Sequence, residues 1–236
     1  MSKRQELREK RQKQQQTQRI AIGAAVLVGA LLIAFALIYP NLSQNIDIAA
    51  AELHPRPQAD FNRMGDPNAP ITITTFSDYK CGHCGTFALE TEPVLVEAYI
   101  ETGKVHFIYR SMGAWSPQSL LAIEASYCAG DENKFWEFHD LVFINQGETF
   151  NNSLMTQFAR QLGLNESQFN SCLSSGKYKN LANQDGIDGQ AAGVQGTPTF
   201  IFTDTATGQE FARLPGNYPF GAFQQEIENY LASMGN

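Results

Sequence analysis

The spacing of apolar residues in the middle of the chain predicts a strand, a helix and a second strand in succession. Ile71–Phe76 is rich in β-branched residues, which favour strands. From Cys84 to Thr102 apolar side chains recur at helical spacing, and Gly103 ends that pattern. Pro93 lies inside this helix and is expected to kink it. Because Lys104–Arg110 again has the pattern of a strand, the order predicts a parallel strand pair joined by a right-handed crossover.

The rest of the chain predicts a block of helices, then two strands and a last helix. Residues 116–190 hold helix-like stretches separated by polar or glycine breaks, namely Ser119–Ala129, Glu132–Ile144, Ser153–Leu162 and Glu166–Leu173. Beyond them come a strand, a turn, a strand and a helix, at Thr199–Thr203, Thr207-Gly208, Gln209–Leu214 and Phe220–Met234. This order of elements predicts an α/β domain that carries a helical insertion.

A different pattern, an unbroken run of apolar and small residues, occupies Ile20–Ile38. At about 1.5 Å per residue the run is long enough to cross a bilayer core of roughly 30 Å, so we predict one transmembrane helix over residues 20–39. Seven basic and two acidic residues precede it, which predicts a cytoplasmic N-terminus and an extracytoplasmic body in the cell membrane. The alternative is a signal peptide cleaved at Ala49–Ala51. The run is longer than a usual signal core, and those alanines lie well beyond its end.

Charge divides the chain at the same place. The net charge is −7, and the basic tail carries +5, which leaves −12 for the remainder. An acidic body of ordinary globular composition argues against nucleic-acid binding. We divide the chain into a cytoplasmic tail, a transmembrane helix, a proline-containing extracytoplasmic linker, a first α/β part, the helical insertion and a second α/β part. These are residues 1–19, 20–39, 40–69, 70–115, 116–190 and 191–236.

Two cysteines stand two residues apart, directly after the first predicted strand. Cys81 would occupy the first turn of the helix, where unpaired N–H groups and the helix dipole favour its thiolate. Cys84 would lie one turn deeper and could resolve a mixed disulfide. His83 and Lys80 could stabilise the thiolate further by hydrogen bonding or charge. This arrangement is typical of a redox centre.

Two alternatives for this cysteine pair are less favoured. A zinc site needs four ligands, and no second closely spaced Cys/His pair exists to complete it. An inert structural disulfide gains little from closing so small a loop. We therefore expect no metal and no cofactor.

A proline far downstream is the second element of the predicted centre. Pro198 follows Thr197 and directly precedes a predicted strand. By itself such a proline is most simply explained as the first residue of a strand. Together with the cysteine pair, it predicts a cis proline beside the disulfide, where the neighbouring backbone can pair with an extended substrate. Thr197 would then face the disulfide and tune its potential.

The remaining cysteines, Cys128 and Cys172, lie in two predicted helices of the insertion. Four cysteines allow three pairings, and the most economical combines one redox disulfide with one structural disulfide. In an oxidising compartment we expect a Cys128–Cys172 bridge. Two buried free thiols are the alternative.

Four motifs together resemble the DsbA family of thioredoxin-fold thiol–disulfide oxidoreductases, in its membrane-anchored bacterial form. They run from Gly65 to Pro70, from Phe76 to Cys84, from Lys134 to His139 and from Gly193 to Phe200, and the resemblance covers about residues 62–234.

The resemblance implies a thioredoxin fold with a helical insertion, and a structural disulfide between Cys128 and Cys172. It gives Cys81 the role of nucleophile, Cys84 that of resolving cysteine and Pro198 that of cis proline. It also implies reoxidation by a membrane quinone reductase that is DsbB-like or vitamin K epoxide reductase-like.

Two positions depart from this family pattern. Many relatives carry a glutamate at the end of the first strand, where this chain has Thr75. The dipeptide Gly82-His83 is similar to that of protein disulfide isomerase, whereas the best-known oxidants have Pro-His. The second departure bears on the direction of electron flow.

These observations predict an oxidase that introduces disulfides into reduced, unfolded secreted or envelope proteins through a Cys81–Cys84 disulfide. A reductase or isomerase on the same scaffold is the first alternative. An isomerase of this class needs a dimerisation module, and residues 40–69 are short and proline-rich for one. A redox-inactive binding or chaperone module is the second alternative, against which the intact Cys81, Cys84 and Pro198 argue.

Overall fold

The computed structural model describes residues 19, 22–35, 49, 54–113 and 116–235. The chain divides into two compact units, Met1–Asp47 and Ile48–Asn236.

The described part of the first unit is helical. Residues 22–35 form this helix, and its large apolar side chains are exposed, among them Leu27 and Leu31 at 67% and 68%. Among the described residues, no helix combines the length and the apolar character needed to cross a membrane. The predicted tail up to residue 18 and positions 20, 21 and 36–39 of the predicted transmembrane helix lie outside the described residues.

The described part of the second unit contains a five-stranded sheet in the order β1-β3-β2-β4-β5. The strands are β1 Arg63–Met64, β2 Ile71–Ser77, β3 Val105–Ser111, β4 Thr199–Asp204 and β5 Glu210–Pro215. β2 and β3 are parallel, with Thr75 opposite Tyr109, and the other neighbouring strands are antiparallel. The predicted parallel pair and the predicted C-terminal hairpin are confirmed.

Helices cover the sheet and form the insertion. A long helix over residues 82–100, α1, links β2 to β3 and alternates between α and π turns, with segments Gly82–Thr86, Phe87–Thr91, Glu92–Leu95 and Val96–Ile100. The others are α2 Pro117–Gly130, α3 Phe135–Ile144, α4 Asn152–Gln161, α5 Glu166–Ser175, α6 Lys179–Ala191 and α7 Phe220–Met234. The hydrogen-bonding pattern of α1 changes from π to α beside Pro93, which has no N–H to donate.

Aromatic packing fixes α1 on the sheet. The centre of the Phe87 ring lies 4.4 Å from the centre of the Phe200 ring in β4 and 5.5 Å from the centre of the Phe223 ring in α7. All three side chains are buried. The end of α1 that carries the cysteine pair is therefore held against the sheet about one and a half turns after its start.

Of the predicted linker, residues 49 and 54–69 are described, and part of this segment joins the sheet. Arg63 and Met64 pair with Ile108 and Phe107 and add an antiparallel strand to the edge of the sheet. Met64 is fully buried, and the guanidinium of Arg56 lies between two buried carboxylates. A two-residue strand is too short to show a periodic pattern, and the partners of Arg56 are distant in sequence.

The sequence patterns also missed α6. Lys179–Ala191 contains Gly186 and Gly189, which have low helix propensity. Tertiary contacts compensate: a Cβ atom at Gly189 would lie 2.3 Å from the Sδ of Met112, just after β3, and 2.9 Å from the ring of Phe76 in β2, so a larger residue would displace these side chains. The buried Asp185 accepts hydrogen bonds from Tyr127 and Arg110. Packing rather than propensity therefore stabilises this helix.

A disulfide joins Cys128 in α2 to Cys172 in α5, which are 44 positions apart in sequence and have 5.9 Å between their Cα atoms. We expect the double variant Cys128→Ser, Cys172→Ser to lose about 2–4 kcal/mol of unfolding free energy, because the unfolded chain regains the freedom of a long loop. Urea unfolding of both forms measures the difference. Because the pair lies in the insertion rather than at the Cys81–Cys84 centre, exchange activity of the folded variant is expected to persist. An unchanged midpoint of urea unfolding would contradict the stabilising role of the disulfide.

Candidate active site

The cysteine pair lies at the beginning of α1. Cys81 is the N-cap residue with extended backbone, φ −87° and ψ 116°, and its carbonyl oxygen accepts hydrogen bonds from the N–H groups of Cys84 and Gly85, both at 3.1 Å. Cys81 is partly exposed, whereas Cys84 is 1% exposed. Both are free thiols in this structure. An incoming thiol can therefore reach the sulfur of Cys81 more readily than that of Cys84.

The segment before β4 lies against this pair. The Thr197–Pro198 peptide bond is cis, as the sequence predicted. The Cys81 thiol donates a hydrogen bond to the carbonyl oxygen of Thr197 at 3.3 Å, across 116 residues of sequence. The fold thus brings together the three residues Cys81, Thr197 and Pro198.

The surroundings of Cys81 favour its thiolate. They lower its pKa to about 5, first through the hydrogen bond from the Cys84 thiol. Partial burial opposes this, and hydrogen bonds from the Thr197 side chain and from the backbone N–H groups of Cys84 and His83 outweigh it. Burial, in contrast, raises the pKa of Cys84, and the adjacent Cys81 raises it further. The reduced site therefore pairs a thiolate at Cys81 with a protonated thiol at Cys84.

Two side chains expected to act on Cys81 are placed differently. His83 is exposed, and its backbone N–H, rather than its imidazole, lowers the pKa of Cys81. The ammonium of Lys80 donates to the carbonyl oxygens of Gln146 and Glu148, at 2.7 and 3.0 Å, and lies 4.5 Å from the centre of the Phe150 ring. Lys80 thus contacts the loop after α3.

Thr75 stands where many DsbA-like proteins carry a glutamate. It is 1% exposed, and its hydroxyl has no hydrogen-bond partner in the part of the chain that the structure describes. Tyr109, its neighbour on β3, is likewise 1% exposed. At these paired positions β2 and β3 therefore present buried hydroxyl groups in place of a carboxylate.

Sequence patterns missed one side chain that contacts the centre, Gln146. Its amide nitrogen donates to the carbonyl oxygens of Tyr79, at 2.6 Å, and of Cys81, at 2.8 Å. A glutamine in a turn that also contains Gly147 carries no signal of such a contact. Only the docking of the insertion against α1 reveals it.

The potential metal ligands that cluster among the described residues are Glu92, His139 and Asp140, and they do not include the cysteines. A cation already lies there, because the guanidinium of Arg56 contacts Glu92 at 2.5 Å and Asp140 at 2.6 Å. The cluster is therefore a buried ion-pair network, which ties residues before the sheet to α1 and α3.

The pH dependence of alkylation tests the thiolate. We expect iodoacetamide to modify reduced Cys81 with a half-maximal rate near pH 5, whereas an ordinary cysteine reaches that point near pH 8.5. Cys84→Ala is expected to move the midpoint upward, because it removes the hydrogen bond with the largest effect on the pKa of Cys81. A midpoint near pH 8.5 for the unaltered protein would contradict the geometry.

Comparison with known proteins agrees with this fold. The family model described as Thioredoxin matches residues 60–213, well over half of the chain. The chain therefore belongs to the thioredoxin family.

The individual proteins that match this chain share about a third of its residues or fewer over the aligned segments. The chain is 32% identical over 141 residues to the Na(+)/H(+) antiporter NhaA 1 of Salinispora arenicola, a match to 58% of this chain and 21% of that protein. The chain thus spans about a fifth of the length of that relative. It is 26% identical over 201 residues to the probable disulfide bond formation protein D of Bacillus cereus, covering 81% of this chain and 89% of that one.

Among solved structures, oxidised BdbD from Bacillus subtilis superposes with a TM-score of 0.64 at 22% identity. The match covers 78% of this chain and all of that chain. At this identity the likeness shows the shared fold.

Proposed function

We propose that this protein is a DsbA-like thiol–disulfide oxidoreductase that introduces disulfides into reduced secreted or envelope proteins through a Cys81–Cys84 disulfide. One observation carries the proposal: a partly exposed cysteine with a pKa of about 5 lies at a helix N-terminus, against Thr197 and above a buried, protonated second cysteine. Stabilising the thiolate of Cys81 stabilises the reduced form, which makes the disulfide an oxidant.

The exchange begins when a substrate thiolate attacks the sulfur of Cys81. The Cys81–Cys84 bond breaks, a substrate–Cys81 disulfide forms, and Cys84 takes up a proton because its pKa is raised. A second substrate thiolate then attacks the substrate sulfur of this mixed disulfide. Cys81 leaves as a thiolate, which its low pKa favours. The substrate loses two electrons and gains one disulfide, and the protein gains those two electrons.

A redox equilibrium of the full-length chain in detergent with glutathione, read by thiol alkylation, tests the direction of electron flow. We expect a reduction potential near or above the roughly −180 to −210 mV of an oxidising compartment such as the endoplasmic reticulum. A potential well below this range would overturn the oxidase function and leave a reductase on the same scaffold.

The substrates and the oxidising partner follow from this chemistry. Each turnover leaves Cys81 and Cys84 reduced, so a partner must remove two electrons. We propose that the partner is a membrane quinone reductase, DsbB-like or vitamin K epoxide reductase-like, and that the substrates are unfolded proteins with free thiols. If Cys81 and Cys84 stay reduced at all times in growing cells, no such partner operates.

We further propose that residues 20–39 anchor the protein in the cell membrane, with the N-terminus in the cytoplasm and the second unit outside. The uncharged apolar run and the basic residues before it support this. The full chain is expected to stay in the membrane fraction after a carbonate wash. A membrane-impermeant maleimide added to intact spheroplasts is expected to label reduced Cys81. Release by carbonate, or protection of Cys81 from the reagent, would contradict the anchor or its orientation.

A further inference from the structure

The turn after α3, residues 145–148, contacts the reactive end of α1 through one side chain. The amide nitrogen of Gln146 donates to the carbonyl oxygen of Cys81 at 2.8 Å and to that of Tyr79 at 2.6 Å. Gln146 is only partly buried, yet both of its donor positions are used on the segment that carries the cysteine pair. These contacts join positions 65 and 67 residues apart in sequence.

The turn itself is held in place from both sides. Its backbone closes on α3, since the N–H of Gln146 donates to the carbonyl of Phe143 at 3.1 Å. The side chain of Asn145 donates to the carbonyl of Leu141 at 2.8 Å. From the other side, Lys80 donates to the carbonyls of Gln146 and Glu148. The Gln146 side chain therefore projects from a fixed support.

The space around Gly85 also fits this contact. A Cβ atom at Gly85 would lie 2.8 Å from the Oε1 of Gln146, and the next nearest atoms also belong to Gln146. Gly85 lies within the first helical segment of α1, where alanine would otherwise be the better helix former. A glycine at this position thus makes room for the glutamine.

We infer that Gln146 is a positioning residue of the thiol site, through which the helical insertion fixes the peptide group of Cys81 and couples to the reactive end of α1. The inference rests on the proposed function, which it deepens. The physical reason is electrostatic: the carbonyl oxygen of Cys81 carries partial negative charge close to the Cys81 sulfur. A donor from Gln146 offsets that charge and holds the first turn, whose N–H groups face the sulfur.

Gln146→Met tests the inference, because methionine keeps the length of the side chain and removes the donor. Alkylation of reduced protein across pH is expected to show a higher pKa for Cys81. The glutathione equilibrium is expected to shift about fivefold toward the disulfide form, the factor that corresponds to one hydrogen bond of about 1 kcal/mol. Gln146→Glu, which brings a carboxylate beside the same carbonyls, is expected to give a larger shift in the same direction.

Gly85→Ala distinguishes an effect of the position of the Gln146 amide from an effect of lower helix stability. It is expected to displace the Gln146 amide and to reproduce the shift of Gln146→Met, although alanine favours the helix more than glycine does. Gln184→Met is the matched control, since Gln184 donates from the exposed face of α6 to Asp188. This control is expected to leave the pKa of Cys81 unchanged.

A variant of Lys80 tests whether the hydrogen bonds that Lys80 donates to the turn help to place Gln146. Lys80→Met is expected to shift the equilibrium in the same direction as Gln146→Met, and the double variant to shift it by less than the product of the two single effects. If Gln146→Met and Gly85→Ala both leave the pKa of Cys81 and the glutathione equilibrium unchanged while only stability changes, the inference is overturned. The alkylation readout does not depend on electron flow in cells, so it separates this result from a failure of the proposed oxidase function.

Discussion

Cys81→Ser is expected to abolish disulfide exchange, with activity falling to the uncatalysed background. The sulfur of Cys81 is the partly exposed member of the pair and the one whose pKa is lowered, to about 5. Serine can form no disulfide, and Cys84 is buried, so no other thiol of the centre is accessible to a substrate. Oxidative refolding of a reduced, disulfide-containing protein measures the loss.

Cys84→Ser gives the complementary result. Without Cys84 no Cys81–Cys84 disulfide can form, so the variant cannot oxidise a substrate. The thiolate that remains at Cys81 can still attack a substrate disulfide, which forms a Cys81–substrate disulfide and releases one substrate thiol, but no second thiol can then displace the substrate by closing a Cys81–Cys84 bond. Substrates already linked to Cys81 are therefore expected to accumulate and to appear on non-reducing gels as adducts that a reductant releases. The double variant Cys128→Ser, Cys172→Ser is the control for the loss of any two cysteines. Full activity of Cys81→Ser would indicate a redox-inactive binding or chaperone module instead.

Arg56→Met is expected to lower the unfolding free energy by about 3–5 kcal/mol, the usual cost of removing one partner from a buried ion pair. The guanidinium lies 2.5 Å from Glu92 of α1 and 2.6 Å from Asp140 of α3, and all three side chains are buried. Methionine can keep the packing against Trp136, over which the guanidinium lies at 5.1 Å. The loss of unfolding free energy therefore comes from the two buried carboxylates, which remain without a cation. Urea unfolding at neutral pH measures it.

The pH dependence gives this prediction a second readout. Burial acts to raise the pKa of Asp140, but the hydrogen bond with His139 and the charge of Arg56 outweigh it and hold that pKa below its usual value. In the unaltered protein the ionised Asp140 contributes fully to the unfolding free energy above its unfolded-state pKa of about 3.9. This contribution is lost as the pH falls through the lower pKa that Asp140 has in the folded state. Without Arg56 the pKa of the carboxyl rises, so the deficit of the variant is expected to be largest at neutral pH and to shrink toward pH 4.

Two further variants make the Arg56 result specific. Arg56→Lys keeps a positive charge but loses the planar guanidinium that contacts both carboxylates. Its unfolding free energy is therefore expected to lie between that of the unaltered protein and that of Arg56→Met. Arg160→Met removes an exposed pair with Glu166, whose side chains are 58% and 41% exposed, and it is expected to change stability very little. An equal loss in Arg56→Met and Arg160→Met would show that burial of the ion pair does not matter.

Much of the fold was predictable because its signals are local. The β-branched run before Cys81, the turn at Thr207-Gly208 and the amphipathic last helix each lie within a short window, and the structure has β2, the hairpin and α7 there. The last helix matches its predicted bounds, Phe220–Met234. α6 and β1 lack such signals, since one contains glycines that only packing tolerates and the other is two residues long.

The candidate site divides in the same way. Cys81 and Cys84 are visible in the sequence because their chemistry requires two cysteines at a fixed spacing, and Pro198 is visible because it follows Thr197 directly before a predicted strand. The roles of their neighbours are not: His83 contributes its backbone N–H, Lys80 contacts the loop after α3, and Gln146 reaches Cys81 from the insertion. Such contacts depend on how distant segments pack.

The sequence by itself determined the elements of the α/β domain, the cysteine pair at a helix N-terminus and the Thr-Pro step before a strand. Short-range propensity, periodicity and residue chemistry suffice for these. Only the tertiary structure decided which groups lower the pKa of Cys81, that Arg56 balances two buried carboxylates, and that Gln146 contacts the thiol site. The contacts of Arg56 with Glu92, of Gln146 with Cys81 and of Cys81 with Thr197 cross 36 to 116 residues of sequence, which no local pattern encodes.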